Sequence, residues 1–230
     1  MSASQGEKII RFQNLYKTYS SLGFTRHSDR PIAVDGIQNR LLKALRANGG
    51  FGIFDEGQKG QDGLLRRALL WYRPANKHLT KIQFPQTHRF PPPSWSWMAY
   101  MGEIDYLNLK FGVFDWEDVH SPWSYGEMEA KQGSSIALSG RLRTISPDAA
   151  GDDAGKFYFD MLEQRDTSLL QCVVLGLEQG RSVDSRLHYF ILVAPATPLV
   201  PHVSHVYERI GVGHLPGKWI SAEGSTVKIC

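Results

Sequence analysis

Apolar positions near the start of the chain recur at helical spacing. Phe12, Leu15, Tyr16 and Tyr19 stand at i, i+3, i+4 and i+7, which puts them on one face of a helix. Arg30-Pro31 breaks the pattern and opens a second helix, with proline suited to the first turn and Asp29 standing where a cap is expected. Val34, Ile37, Leu41 and Leu45 continue its apolar face, and Asn48-Gly49-Gly50 ends it. Leu64, Leu65, Ala68, Leu69 and Tyr72 predict a third helix that stops before Pro74. Periodicity is then lost. Phe90-Pro91-Pro92-Pro93 suits neither a helix nor a central strand. Ser94-Trp95-Ser96-Trp97 alternates polar and aromatic, which predicts an extended segment with both indoles on one face.

The remainder has the period of strands. Residues 135–145 alternate through Ile136, Leu138 and Leu142, and 157–159, 172–177, 187–193, 206–212 and 226–230 are further candidates. Ser146-Pro147-Asp148 reads as a turn, followed by a small-residue loop over 149–155. Helices first and strands after predict an α+β chain, with N-terminal helices packed on a C-terminal antiparallel β-sandwich or barrel. The expectation is a single domain over 1–230, with a helical part at 1–75 and a mainly β part at 90–230.

Composition narrows the function classes. The 230 residues are 42% hydrophobic and 21% charged, a globular balance. With 26 Lys+Arg against 23 Asp+Glu, the net charge of +3 is too even to argue for nucleic acid. The longest nearly apolar run, 189–200, contains Pro195 and Pro198 and falls short of the ~20 residues of a membrane helix. The N-terminus is polar and carries no secretory pattern. Two cysteines, Cys172 and Cys230, form no metal spacing or disulfide framework, so a reducing, cytoplasmic setting is expected. Four of the six tryptophans, Trp95, Trp97, Trp116 and Trp123, crowd into 95–123.

Sequence signatures of catalysis are sparse, and no cofactor or metal is expected. Gly211-Val212-Gly213 lacks the strand–turn–helix setting of a dinucleotide loop. His202, His205 and His214 with Glu208 could share a metal, but exposed loop imidazoles are the simpler reading. Asp115, Glu117 and Asp118 with Glu103 and Asp105 could supply an acid pair, or be solvated carboxylates. Cys172, in an apolar strand, reads as a buried thiol. Arg209 is expected to pair with Glu208 or Asp29. Trp95 and Trp97 read as core; the alternative is an aromatic pocket lined by Trp97, Tyr100, Tyr106, Trp116 and Trp123, suited to an apolar small molecule.

Pro93-Ser94-Trp95-Ser96-Trp97 resembles a motif of the C-terminal part of fungal heterokaryon-incompatibility (HET) proteins. Tyr19-Ser20 through Thr25, Asp29 to Ala33 and Gly36-Ile37 look like that family's helix pair. Gly63-Leu64 to Leu69-Leu70-Trp71 looks like a second segment. Tyr207-Glu208-Arg209-Ile210-Gly211-Val212-Gly213, Trp219 and Thr226 to Ile229 look like its ending. The HET domain proper, with its TIR-like signalling core, has no counterpart among these motifs. The resemblance implies a fungal source and a reused scaffold, and with it a cofactor-free cyclase of secondary metabolism, similar to a Diels–Alderase, acting on a terpenoid-like intermediate. Such a reaction needs a near-attack pocket and one hydrogen-bond donor, for which Tyr72, Arg73 and Tyr100 are the candidates, with Trp97, Tyr106, Trp116 and Trp123 against the substrate. The alternative is a non-enzymatic module for recognition or regulation in heterokaryon incompatibility.

Overall fold

Ser4 and Glu7 start the first helix by capping one another. The Ser4 backbone N–H donates to Glu7 Oε2 at 2.7 Å, and the Glu7 N–H donates to Ser4 Oγ at 3.3 Å. In the computed structural model the described residues are 4–24, 26–57, 63–85, 91–123, 136–162, 169–180, 182–196 and 206–230. They fall into two compact units, Met1–Gly112 and Val113–Cys230, so the aromatic-rich segment 95–123 is divided between them.

The first unit is built from α1 (Gln5–Ser20), α2 (Arg30–Leu45), a hairpin of β1 (Asn48–Gly50) and β2 (Ile53–Asp55), and the short α3 (Leu64–Leu69). Four two-residue strands follow: β3 (Trp71–Tyr72) pairs β6 (Asp105–Tyr106), and β4 (Thr80–Lys81) pairs β5 (Tyr100–Met101). Helices α1 and α2 form where the periodicity puts them, although Leu15 of α1 is exposed. Pro31 sits in the first turn of α2, although Asp29 makes no side-chain cap. Arg46 takes a left-handed conformation at the end of α2, so Asn48-Gly49-Gly50 is free to form a strand. Tyr72 belongs to β3 and not to the third helix.

Trp95 and Trp97 are fully buried, as a core reading requires, but not on an extended segment. The chain turns at Ser96 into a 3-10 turn, Trp97–Ala99. Ser96 Oγ accepts from the Met98 N–H at 3.0 Å and donates to the Phe51 carbonyl at 2.6 Å. That local side-chain bonding competes with strand geometry and wins. The Trp97 indole lies against Gly52, which has φ +76° and no Cβ to collide with it. Arg30, 1% exposed, donates to the Tyr100 carbonyl at 2.6 Å and the Ser20 carbonyl at 2.8 Å, with its guanidinium 5.5 Å from the Trp97 ring. Burial pulls its pKa down to about 10, still charged at neutral pH.

The second unit holds β7 (Phe114–Trp116), β8 (Leu138–Thr144), β9 (Lys156–Phe159), β10 (Gln171–Glu178), β11 (Leu187–Pro195), β12 (Val206–Pro216) and β13 (Ser225–Ile229). The order β11-β10-β8-β13-β12 closes on itself because β12 also pairs β11, giving a five-strand barrel. The β12–β13 pairing is parallel and the other pairings are antiparallel. The chain is therefore α+β, with its barrel in the C-terminal unit. Strands β7 and β9 are additional: β7 pairs the far end of β10 after β8 has left it, and β9 pairs the far end of β12. Directly paired residues share a face. Val173 with Leu142 and Ile191, Ile191 with Val212, and Ile229 with Leu138 thus point inward, and all are buried. Cys172, Val174, Phe190, Leu192, Ile210 and Leu215 pack with Ile145 and Ile220 in a second apolar layer.

The bidentate partner of Arg209 is Asp160, which was not among the expected partners. Nε donates to Oδ2 and Nη2 to Oδ1, both at 3.0 Å, with both side chains essentially without solvent exposure. Asp160 Oδ atoms are brought there because Asp160 follows β9 and its N–H donates to the Ile210 carbonyl at 2.9 Å.

Two stability outcomes follow. Trp95→Ala should cost about 3–5 kcal/mol in chemical denaturation, as for a large core aromatic. Asp160→Asn, which strands the Arg209 charge, should cost about 3–5 kcal/mol, whereas Asp160→Leu with Arg209→Met should recover most of it.

Candidate functional site

In the first unit, the residues expected to line a pocket are packing residues. Trp97, Tyr100 and Tyr106 are 0%, 3% and 8% exposed. The Trp97 ring lies 5.1 Å from Tyr16, Tyr106 lies 6.1 Å from Phe12, and Tyr100 lies 5.6 Å from Trp71. Tyr72 and Arg73 are half-buried. The Arg73 guanidinium donates to the Lys77 carbonyl at 2.7 Å and reaches the Pro74 carbonyl at 3.4 Å, holding the turn after β3.

Trp116 and Trp123 belong to the second unit and are half-buried. The Trp123 N–H donates to Ser121 Oγ at 3.2 Å. Trp116 is set by register. It pairs Gly176, and its ring occupies the space a Cβ at 176 would take. A small residue on β10 therefore lets the indole lie across the sheet. Phe114 stacks on it at 5.2 Å and meets the Tyr189 ring edge-on at 5.3 Å.

The pairings continue from Trp116 in one line. Trp116 faces Gly176, Gly176 faces Tyr189, Tyr189 faces His214, and His214 faces Lys156. This row crosses β7, β10, β11, β12 and β9, and all its side chains share one face. The Tyr189 hydroxyl donates to Glu178 Oε1 at 3.1 Å, and its ring lies 5.3 Å from the His214 imidazole. Burial and the Glu178 charge push the Tyr189 phenol above its usual range. Burial, and then the Lys156 charge, push the His214 imidazole below its usual range. The row thus holds a neutral phenol whose single O–H is given to Glu178 and a neutral imidazole able to donate a hydrogen bond. Sequence reasoning placed Trp116 at a site but grouped His214 with His202 and His205, which lie outside the described residues. Tyr189, Lys156 and Glu178 were not singled out. The available signal was a polar side chain on the inward parity of an otherwise apolar strand.

The other candidate chemistry resolves into structural roles. Asp115 pairs Arg186 at 2.9 Å, Glu117 pairs Arg143 at 3.2 Å, Asp118 pairs His120 at 3.1 Å, Glu103 pairs Lys77 at 2.9 Å, and Asp105 pairs Lys17. Burial pushes the Cys172 thiol up to about 12, which makes it inert. Gly211-Val212-Gly213 lies inside β12, where the glycines admit the close approach of β9. Among the described residues no group of three or more His, Cys, Asp or Glu is placed to hold a metal ion. No helix of the described residues is long and apolar enough to cross a membrane. Comparison with protein-family models, curated proteins and solved structures finds no match.

The buried His188 and half-buried His214 make stability pH-dependent. Burial depresses both His188 and His214, so the unfolded chain takes up protons first as pH falls through about 6.5. Their contribution is full above that pH and is lost below it. Denaturation midpoints at pH 7.5 and 5.5 should show the loss, and His188→Gln with His214→Gln should flatten it.

Proposed function

We propose that the chain is a cofactor-independent small-molecule cyclase of the pericyclase type, closing a ring in an apolar, terpenoid-like intermediate by an intramolecular [4+2] reaction. The observation that carries this reading is the half-exposed Trp116 ring lying over Gly176 in line with Tyr189 and His214. An aromatic floor holds an apolar substrate folded, which supplies the near-attack geometry. A donor beside it stabilises charge developing on the dienophile carbonyl. His214, on the same row as Trp116, takes the donor role in this reading in place of Tyr72, Arg73 and Tyr100, which belong to the first unit. The motifs at 93–97 and 207–213, similar to those of HET proteins, support fungal secondary metabolism as the setting.

A second reading is a non-enzymatic HET-derived recognition or regulatory module. It draws on the burial of Trp97, Tyr100 and Tyr106, which spends the aromatic residues of the first unit on packing.

The two readings separate by experiment. Apolar metabolite fractions should raise the melting temperature of the purified chain, and polyene components should be converted. Trp116→Ala and His214→Phe should then cut turnover by about 10-fold or more with melting little changed. Full turnover in both Trp116→Ala and His214→Phe would remove the site assignment. A folded chain that no apolar metabolite stabilises and that converts no polyene would leave the recognition module.

A further inference from the structure

The row from Trp116 to Lys156 changes character along its length. Strands are ~4.8 Å apart, so its four spacings extend on the order of 19 Å across the sheet. One end is aromatic: Trp116, stacked by Phe114, then the Tyr189 ring. The other end is basic: His214 and then Lys156. Lys156 is exposed, and its ammonium lies 5.1 Å from the centre of the Tyr158 ring without a carboxylate partner among the described residues. The carboxylates of the second unit that pair are committed elsewhere. Asp115, Glu117, Asp118, Asp152 and Asp160 each face a different base. Glu178 lies off the row beside Phe114 and accepts from Tyr189, about three strand spacings from Lys156. The His214 Nδ1 atom is buried without a hydrogen-bond partner, which leaves Nε2 as the ring nitrogen for an outside acceptor.

We propose that this row binds an elongated apolar small molecule that ends in a carboxylate, with its apolar body across Trp116 and Tyr189 and its anion held by Lys156 and His214. The Glu178 charge at the aromatic end repels the anion and fixes the orientation of the ligand. The inference rests on the row being the binding face described above, and not on the cyclisation chemistry.

The test uses cis-parinaric acid, a fluorescent linear polyene acid, and its methyl ester, titrated into the full chain at pH 7.5. The acid should bind more tightly than the ester. Lys156→Gln, an exposed change that leaves folding intact, should weaken the acid about 10-fold or more and leave the ester unchanged. Trp116→Ala should weaken both probes, and Lys218→Gln, which alters a cation paired to Asp152, should change neither. Equal affinity for acid and ester, or an acid indifferent to Lys156→Gln, would overturn carboxylate recognition while leaving the row as an apolar binding face. Binding of both probes that is unaffected by Trp116→Ala in a folded variant, or no binding of either, would overturn the face itself.

Discussion

Strands β10 and β12 are each too long for a single neighbour, and the architecture of the second unit follows from that constraint. β10 pairs β8 through Gln171–Val173 and then β7 from Gly176 onward. β12 pairs β13 at Val206 and Tyr207 and then β9 from Gly211 onward. The first set of partners closes the barrel. The second set opens the same strands into a five-strand face, β7-β10-β11-β12-β9. The β11–β12 ladder joins the two, since it runs the whole length of both. Register shifts between Val174 and Gly176 and between Leu192 and Val193 lie near the changes of partner, where a bulge re-aims side chains. Inward residues at the barrel end are Val, Ile and Leu. Inward residues on the open face are Trp116, Tyr189, His214 and Lys156, so the geometry that seals the core also presents the candidate site.

The first unit solves a different problem, that of binding short elements together without a large sheet. Its strands β3 to β6 are two residues each and carry little pairing of their own. Aromatic packing and buried guanidinium groups supply the rest. Arg30 bonds carbonyls from the end of α1 and from β5, and Arg67 bonds the carbonyls of Leu109 and Lys110 at 2.7 and 2.8 Å. A guanidinium satisfies several carbonyls at once, which suits a loop-rich core whose backbone acceptors lack strand partners. The Trp71 indole does the same for one acceptor, donating to the Trp95 carbonyl at 2.9 Å.

The helices and most strands were legible in the sequence because their signals are local. Phe12 and Tyr16, or Val173 and Leu175, declare a period without knowledge of what they pack against. Ser94 to Trp97 was misread for the same reason. Its alternation is that of a strand, while the Ser96 hydroxyl bonds its own turn and the Phe51 carbonyl far back in the chain. Arg209 was expected to pair with Glu208 or Asp29, and Asp160 was not foreseen because the β9–β12 pairing is what places it. Of the candidate row, Trp116 was the one residue the sequence placed against a substrate. Lys156, Tyr189 and His214 stand on three separate strands, and only the register between those strands puts them in line.

That register also explains why polar groups are tolerated there. A His or Tyr on an apolar strand face carries a desolvation cost that burial in a closed barrel would make prohibitive. At the open end the cost is reduced by partial exposure, by the Tyr189–Glu178 hydrogen bond and by the Tyr189–His214 ring contact. The unpartnered Nδ1 of His214 is the part of the cost left standing. Stability alone would favour another apolar residue at 214, as at Val212 in the same strand. A row that keeps a phenol, an imidazole and an ammonium side by side therefore departs from core logic in a consistent direction, from apolar to cationic. Such departures from the packing rules are expected where a fold is put to chemical use.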